Sequence, residues 1–117
     1  MTREELFEYV KDEYGIEPDY PFDKDFTTGV LRHKSNKKWF ALVMVLPKNK
    51  VYGDCDNIVE VVNLKCDPML RGSLLGEKGI YTAYHMNKVH WVTLVLSEAS
   101  EENIKTLIDL SFSLTKK

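Results

Sequence analysis

Residues 39–46 read WFALVMVL, eight consecutive apolar side chains between Lys37-Lys38 and Pro47. The run is rich in β-branched and aromatic residues, so it predicts a strand. Both alternating sets are apolar, Trp39, Ala41, Val43 and Val45 against Phe40, Leu42, Met44 and Leu46, as a central strand covered on both faces requires. Just upstream, a β-like run at 29–33 and a polar turn at Ser35 and Asn36 make a hairpin with it. Downstream, 57–65 is a third strand, with Ile58, Val62 and Leu64 on one face and Val59, Val61, Asn63 and Lys65 on the other. Asp67 then caps a short helix with Pro68 at its first position, carrying Met69, Leu70 and Leu74 and ending by Gly76. Residues 79–84 form a short strand or an extended loop, and 90–96 form another strand.

Two helices flank this β-rich centre. Thr2 with Glu5 makes a capping box, and Leu6, Phe7, Val10 and Tyr14 recur at helical spacing until Gly15 stops the pattern. The other face of that helix carries Glu4, Glu8, Asp12 and Glu13 and reads as a solvated surface. Near the C-terminus Ser100 caps a helix whose first turn holds Glu101 and Glu102, and Ile104, Leu107, Ile108, Ser111 and Phe112 line one side. Ser111 on that apolar stripe is accounted for by back-bonding to the carbonyl of Leu107. Residues 16–26, IEPDYPFDKDF, form a connector docked through Tyr20 and Phe22. The order predicts an α+β two-layer sandwich: an antiparallel sheet of about five strands with helices mainly on one face, in a single domain over residues 1–117.

Composition is consistent with this reading. The chain has 117 residues, 44% hydrophobic and 29% charged, which suits one domain with a modest core. Its longest apolar run is far short of the ~20 residues needed to cross a bilayer. The start, MTREELFEYV, has no basic stretch followed by an apolar one, so no secretory leader and a cytoplasmic location are expected. Cys55 and Cys66 then read as reduced thiols.

The net charge of −2 conceals a segregation. Residues 1–25 hold nine acids against Arg3, Lys11 and Lys24, whereas 26–53 hold no acid but carry Arg32, Lys34, Lys37, Lys38, Lys48 and Lys50. A basic hairpin of this kind either meets phosphate or keeps an exposed strand from pairing edge to edge. The mildly acidic overall balance argues against a strong nonspecific DNA binder.

Signatures of common enzymes are missing: there is no Gly-rich phosphate loop, no Gly-x-Ser-x-Gly and no paired CxxC. His85, His90 and Cys66 match no common metal spacing, so neither a metal nor another cofactor is expected. The densest polar and aromatic constellation is Tyr84, His85, Met86, Asn87, Lys88, His90 and Trp91, with Asn63, Lys65, Cys66 and Asp67 at an earlier strand end. Lysine and histidine approach phosphate or carboxylate, asparagine donates and accepts, and Tyr or Trp stacks on a base. Packing competes for each of them. Tyr84 and Trp91 also suit a core rim, His90 a strand position in register with Val92 and Leu94, and Asn87 with Lys88 a hairpin turn.

WFALV at 39–43, VNLKCDPMLRGSL at 62–74, YHMNKVHWVTLVL at 84–96 and LIDLSFSL at 107–114 together resemble the MmcQ/YjbR family of small bacterial proteins, over nearly the whole chain. The resemblance implies an α+β fold similar to the type III secretion chaperone-like arrangement and a DNA-binding, double-wing-like domain. It places the family motif on Lys65, Asp67, Pro68, Tyr84, His85, Met86, Asn87, Lys88, His90, Trp91 and Ser111. One departure stands out: where family members often carry Pro-Gly before the Tyr-His pair, this chain has Thr82 and Ala83.

Three functional readings follow. The first is a non-catalytic nucleic-acid-binding or regulatory module. In it Arg32, Lys34, Lys37 and Lys38 contact DNA phosphates from a hairpin wing, and Lys65, Tyr84, His85, Asn87, Lys88, His90 and Trp91 supply further contacts. The second is an adaptor, chaperone-like, for a protein partner or a small anionic ligand. The third, an enzyme using His85 or His90 with Lys65, requires these groups to converge in a concave pocket.

Overall fold

Helix α1 (Arg3–Tyr14) begins at a complete capping box, in which the Thr2 hydroxyl accepts from the Glu5 amide and the Glu5 carboxylate accepts from the Thr2 amide. It ends at Gly15, whose φ of 66° only glycine adopts without strain. The remaining elements are strands β1 (Gly29–Arg32), β2 (Trp39–Pro47) and β3 (Ile58–Lys65), helix α2 (Arg71–Leu74), strands β4 (Ile80–Thr82) and β5 (Trp91–Val95), and helix α3 (Glu101–Thr115). This is a computed structural model, and it describes residues 1–116.

The five strands form one antiparallel sheet in the order β1-β2-β3-β5-β4, with α1 and α3 on one face, as the α+β sandwich reading requires. The helix-side core joins Leu6 and Val10 of α1 to Ile104, Leu107 and Ile108 of α3 over Ala41, Val43, Val62, Leu64, Val92 and Leu94. The opposite face has its own smaller core of Val30, Leu42, Met44, Leu46, Val61 and Val95. Among the described residues no α-helix covers it; partly buried side chains close over it, among them Trp39, Val51 at the end of a 3-10 turn (Lys48–Lys50), Tyr81, Tyr84 and Met86. β2 is therefore buried on both sides, which its continuous apolar sequence requires. Among the described residues no helix is long and apolar enough to cross a membrane.

Simple alternation fails at the start of β2. Leu31 pairs with Ala41 but Arg32 pairs with Trp39, so Phe40 is an extra residue opposite the β1 backbone. This bulge turns Phe40 into the helix-side core and leaves Trp39 against the other one, the reverse of strict alternation. Phe40 there meets Phe112 edge-on, with ring centroids 5.1 Å apart.

Ser111 explains how α3 is fixed to this irregular point. Continuing the β2–β3 register beyond Ala41–Leu64 would pair Phe40 with Lys65. Instead the Ser111 hydroxyl stands between them, donating to the Phe40 carbonyl at 2.6 Å and accepting from the Lys65 amide at 2.9 Å. Back-bonding to Leu107 is thus not its role. The hydroxyl replaces a missing rung of the ladder and satisfies two backbone groups at once.

Three further expectations are corrected in whole or in part. The connector docks through buried Ile16 and a backbone bridge between Asp19 and Val30 as well as through Phe22, which packs edge-on against Trp39, while Tyr20 is about half exposed. Asp67 organises a turn, accepting from the Met69 amide, but helix begins only at Arg71 and Met69 is 90% exposed. β5 starts at Trp91, leaving His90 exposed in the preceding turn. Ile58 keeps the face of Val62 and Leu64, because the β2–β3 register runs unbroken to it, and is exposed there at the strand's first position.

Candidate functional site

The sheet register draws the sequence-predicted residues towards one end of the molecule. Arg32 lies beside Trp39, β2 runs beside β3, and Lys65 at the end of β3 lies opposite Trp91 at the start of β5. The β1–β2 hairpin extends beyond this edge and is anchored to the last turn of α3. Buried His33 shares a 2.7 Å hydrogen bond with the Thr115 hydroxyl, and the Asn36 amide donates to the Thr115 carbonyl. Burial pushes the His33 imidazole below its ordinary pKa, and Lys116 and Lys38 add to that shift.

Around the turn Lys34, Lys37 and Lys38 are exposed, and Lys37 holds a left-handed φ of 63°. The Asn36 side-chain oxygen accepts from the Lys38 amide, so the turn shape is set by asparagine and not by the lysines around it. Lys34 reaches back towards Gly15 at the C-terminal end of α1. Arg32 differs, because its guanidinium pairs with Asp19. Among the described residues Lys34, Lys37, Lys38, Lys65, Lys88 and Lys116 have no carboxylate within ion-pair distance. Glu5, Glu60 and Glu98 lie at the other end, where Leu96 bonds back to Glu60 and Thr2 caps α1.

The Tyr84–Trp91 constellation divides into scaffold and surface. Asn87 caps its own turn, accepting from the amides of Val89 and His90. The Lys88 ammonium donates to the Ala83 carbonyl, and the Lys88 carbonyl accepts from Arg71. The Tyr84 amide donates to Thr93 and its carbonyl accepts from the buried Asn63 side chain, which Thr93 also bonds. These groups hold the turn against β5. The His90 carbonyl accepts from the Cys66 amide, tying the end of β3 to the same turn, while its imidazole lies in an exposed residue. With Thr82 closing β4 and Ala83 buried, the left-handed position of this turn falls on His85, at φ 60°.

His85 and Met86 instead border a groove of about 320 Å3 on the helix-free face, together with Phe22, Trp39, Leu42 and Met44. Phe22 stands edge-on to Trp39 at 6.1 Å, and the His85 ring lies 3.9 Å from that of Tyr84. Asp25 at the same groove is bonded by the hydroxyls and amides of Thr27 and Thr28, and these donors hold its carboxyl down at about 2. Sequence reading missed Phe22, Trp39, Met44 and Asp25 as a group. The only signal was the crowding of Trp39 against the hairpin lysines, and the bulge that turns it outward is not written in a pattern of two.

A second, smaller pocket of about 120 Å3 lies on the helix side between Leu70, Leu74, Leu107, Leu110 and Leu114, with Lys65, Cys66 and Asp67 at its edge. Burial pushes the Cys66 thiol above its ordinary value, away from a reactive thiolate. Lys65 therefore does not sit against a helix N-terminus, since α2 begins six residues later. Among the described residues no three His, Cys, Asp or Glu side chains group as metal ligands.

The model of the YjbR family matches residues 11–114. The uncharacterized protein YyaQ of Bacillus subtilis is 42% identical over 117 residues, 99% of each chain. A crystal structure of a Pseudomonas syringae protein superposes with a TM-score of 0.95 at 42% identity, covering 98% of this chain and 99% of that one. A Deinococcus radiodurans protein with a DUF419 domain superposes at 0.73 and 25% identity, covering 99% of this chain and 79% of its own.

Proposed function

The chain belongs to the YjbR family, and from that premise we propose that it is a non-catalytic module that binds nucleic acid through its basic end. The carrying observation is the convergence there of Lys34, Lys37, Lys38, Lys65 and Lys116, none with a carboxylate partner among the described residues. Lysines arranged so act on phosphate as point charges. Among the described residues no basic helix is available for reading a groove, so binding is directed at the backbone and tolerant of sequence. A binding role rather than catalysis agrees with the commitment of Asn87, Lys88 and Asn63 to holding the turn.

The test is fluorescence anisotropy with a labelled oligonucleotide at several salt concentrations, comparing the natural protein with the Lys34→Glu, Lys37→Glu, Lys38→Glu triple variant. Three lost phosphate contacts lower the slope of log affinity against log salt by roughly 2 to 3. Unchanged affinity and slope in the triple variant refute the proposal. A second reading, a protein-binding adaptor, is favoured by the leucine-lined pocket beside α3, where Leu110 and Leu114 are more than 40% exposed. Its mark in the same experiment is no oligonucleotide binding at any salt.

A further inference from the structure

We propose that the nucleic acid held at this end is single-stranded, and that one of its bases enters the groove of Phe22, Trp39, Leu42, Met44, His85 and Met86 and stacks on an aromatic ring there. The inference rests on the basic-end reading and adds a second site to it. Three observations carry it.

The first is position. Trp39 follows Lys37 and Lys38 directly in the chain, so the indole stands one or two residues, about 4–7 Å of backbone, from the exposed lysines. Single-strand binders combine a basic track for the backbone with aromatic rings on which the bases stack. The second is shape and lining. At about 320 Å3 the groove is at the small end for organic ligands, room for one planar ring system and not for a helix. Its walls are aromatic rings, thioethers and Leu42, and Asp25, the one acid bordering it, has its oxygens engaged by Thr27 and Thr28. A base presents such walls with a large apolar face, whereas in a duplex those faces are already stacked on their neighbours.

The third is that the fold works against local preference to build this groove. The bulge at Phe40 moves Trp39 off the helix-side core and onto the open face. Opposite it His85, a non-glycine residue, holds a left-handed backbone while both backbone polar groups of Tyr84 are fixed to Asn63 and Thr93. Backbone held in a rare conformation by its surroundings is characteristic of ligand-binding sites.

The experiment uses the natural chain labelled with 15N, whose two indole N–H resonances, from Trp39 and Trp91, report separately. A mixed-sequence single strand of twelve nucleotides and the corresponding duplex are titrated in, with affinities measured in parallel by anisotropy. The expected result is a shift of the Trp39 indole with the single strand, tighter binding of the single strand than of the duplex, and loss of single-strand affinity by about fivefold or more in Phe22→Ala with duplex affinity unchanged. Phe22 lies in an exposed loop, so this variant keeps the core intact. Equal affinity for the two forms with an unmoved Trp39 resonance overturns the stacking site and leaves the basic end standing. A shift of Trp91 alone also overturns it. Binding of neither form overturns the underlying reading as well.

Discussion

Replacing Ser111 by alanine tests the account of how α3 is joined to the sheet. The side chain is fully buried and its hydroxyl bridges the Phe40 carbonyl and the Lys65 amide at 2.6 and 2.9 Å. If those bonds meet at a tetrahedral angle, the two backbone groups lie about 4.5 Å apart, too far for a direct hydrogen bond once the hydroxyl is gone. Closing the gap would require β2 and β3 to approach beyond Ala41–Leu64, where their ladder ends. The buried Phe40 carbonyl is thus left without a partner at about 1–3 kcal/mol, the partly buried Lys65 amide costs less because water can reach it, and the expected destabilisation is about 2–4 kcal/mol. For a chain of this length that is a fall in Tm of roughly 8–16 °C. Urea unfolding followed by tryptophan fluorescence, with thermal unfolding by circular dichroism, measures both quantities, and the m-value should not change. A loss below about 1 kcal/mol would show that the hydroxyl is not a rung of the ladder and would refute the reasoning.

Gly79 has φ +83°, and a β-carbon there would lie 2.3 Å from the Ala99 nitrogen and 2.7 Å from its α-carbon, so Gly79→Ala should cost about 2–4 kcal/mol in urea unfolding. Gly72→Ala, with nothing within 4 Å, should be neutral or slightly stabilising, and equal effects at both sites would contradict the steric argument. The Asp25 carboxyl, held at about 2 first by the Thr28 hydroxyl and then by Thr27, contributes stability that is complete above the unfolded value near 4 and lost as pH falls through about 2. Its NMR titration midpoint should rise in Thr28→Val, and a midpoint near 4 in the natural protein would remove the effect. The Tyr9 phenol is pushed up to about 12 by burial and by its bond to Asp109, which also accepts from Tyr14. Its contribution is present below about pH 10 and lost as pH rises through 12, so Asp109→Asn should lower the tyrosine titration followed at 295 nm.

The places where sequence reading met its boundary share one cause. The Thr2 capping box, the Ser100 cap, Gly15 and the stripe of α3 are decided by neighbours within four residues, and each stands as read. Trp39 and Phe40 were assigned faces by alternation, but a bulge depends on the partner strand, and β1 supplies it. Ser111 was assigned a bond within its own helix because nothing local shows that a sheet edge lies above it. The YHMNK-x-HW residues were legible as a group, whereas their division between turn scaffold and groove depends on Asn63, Thr93 and Arg71, which come from other elements.

The order of elements, the two-sided burial of β2 and the family were therefore set by the chain alone, because periodicity, caps and turn residues act over a few positions. The segregation of charge was also present in it, though with the opposite blocks at 1–25 and 26–53 side by side. Only the tertiary structure decided which cations are paired. Asp19 is carried to Arg32 by the bridge to Val30, and the exposed hairpin lysines are left without ion-pair partners among the described residues. Long-range pairing settles such matters, because a β-register, once closed, brings together residues whose separation along the chain carries no trace of their contact.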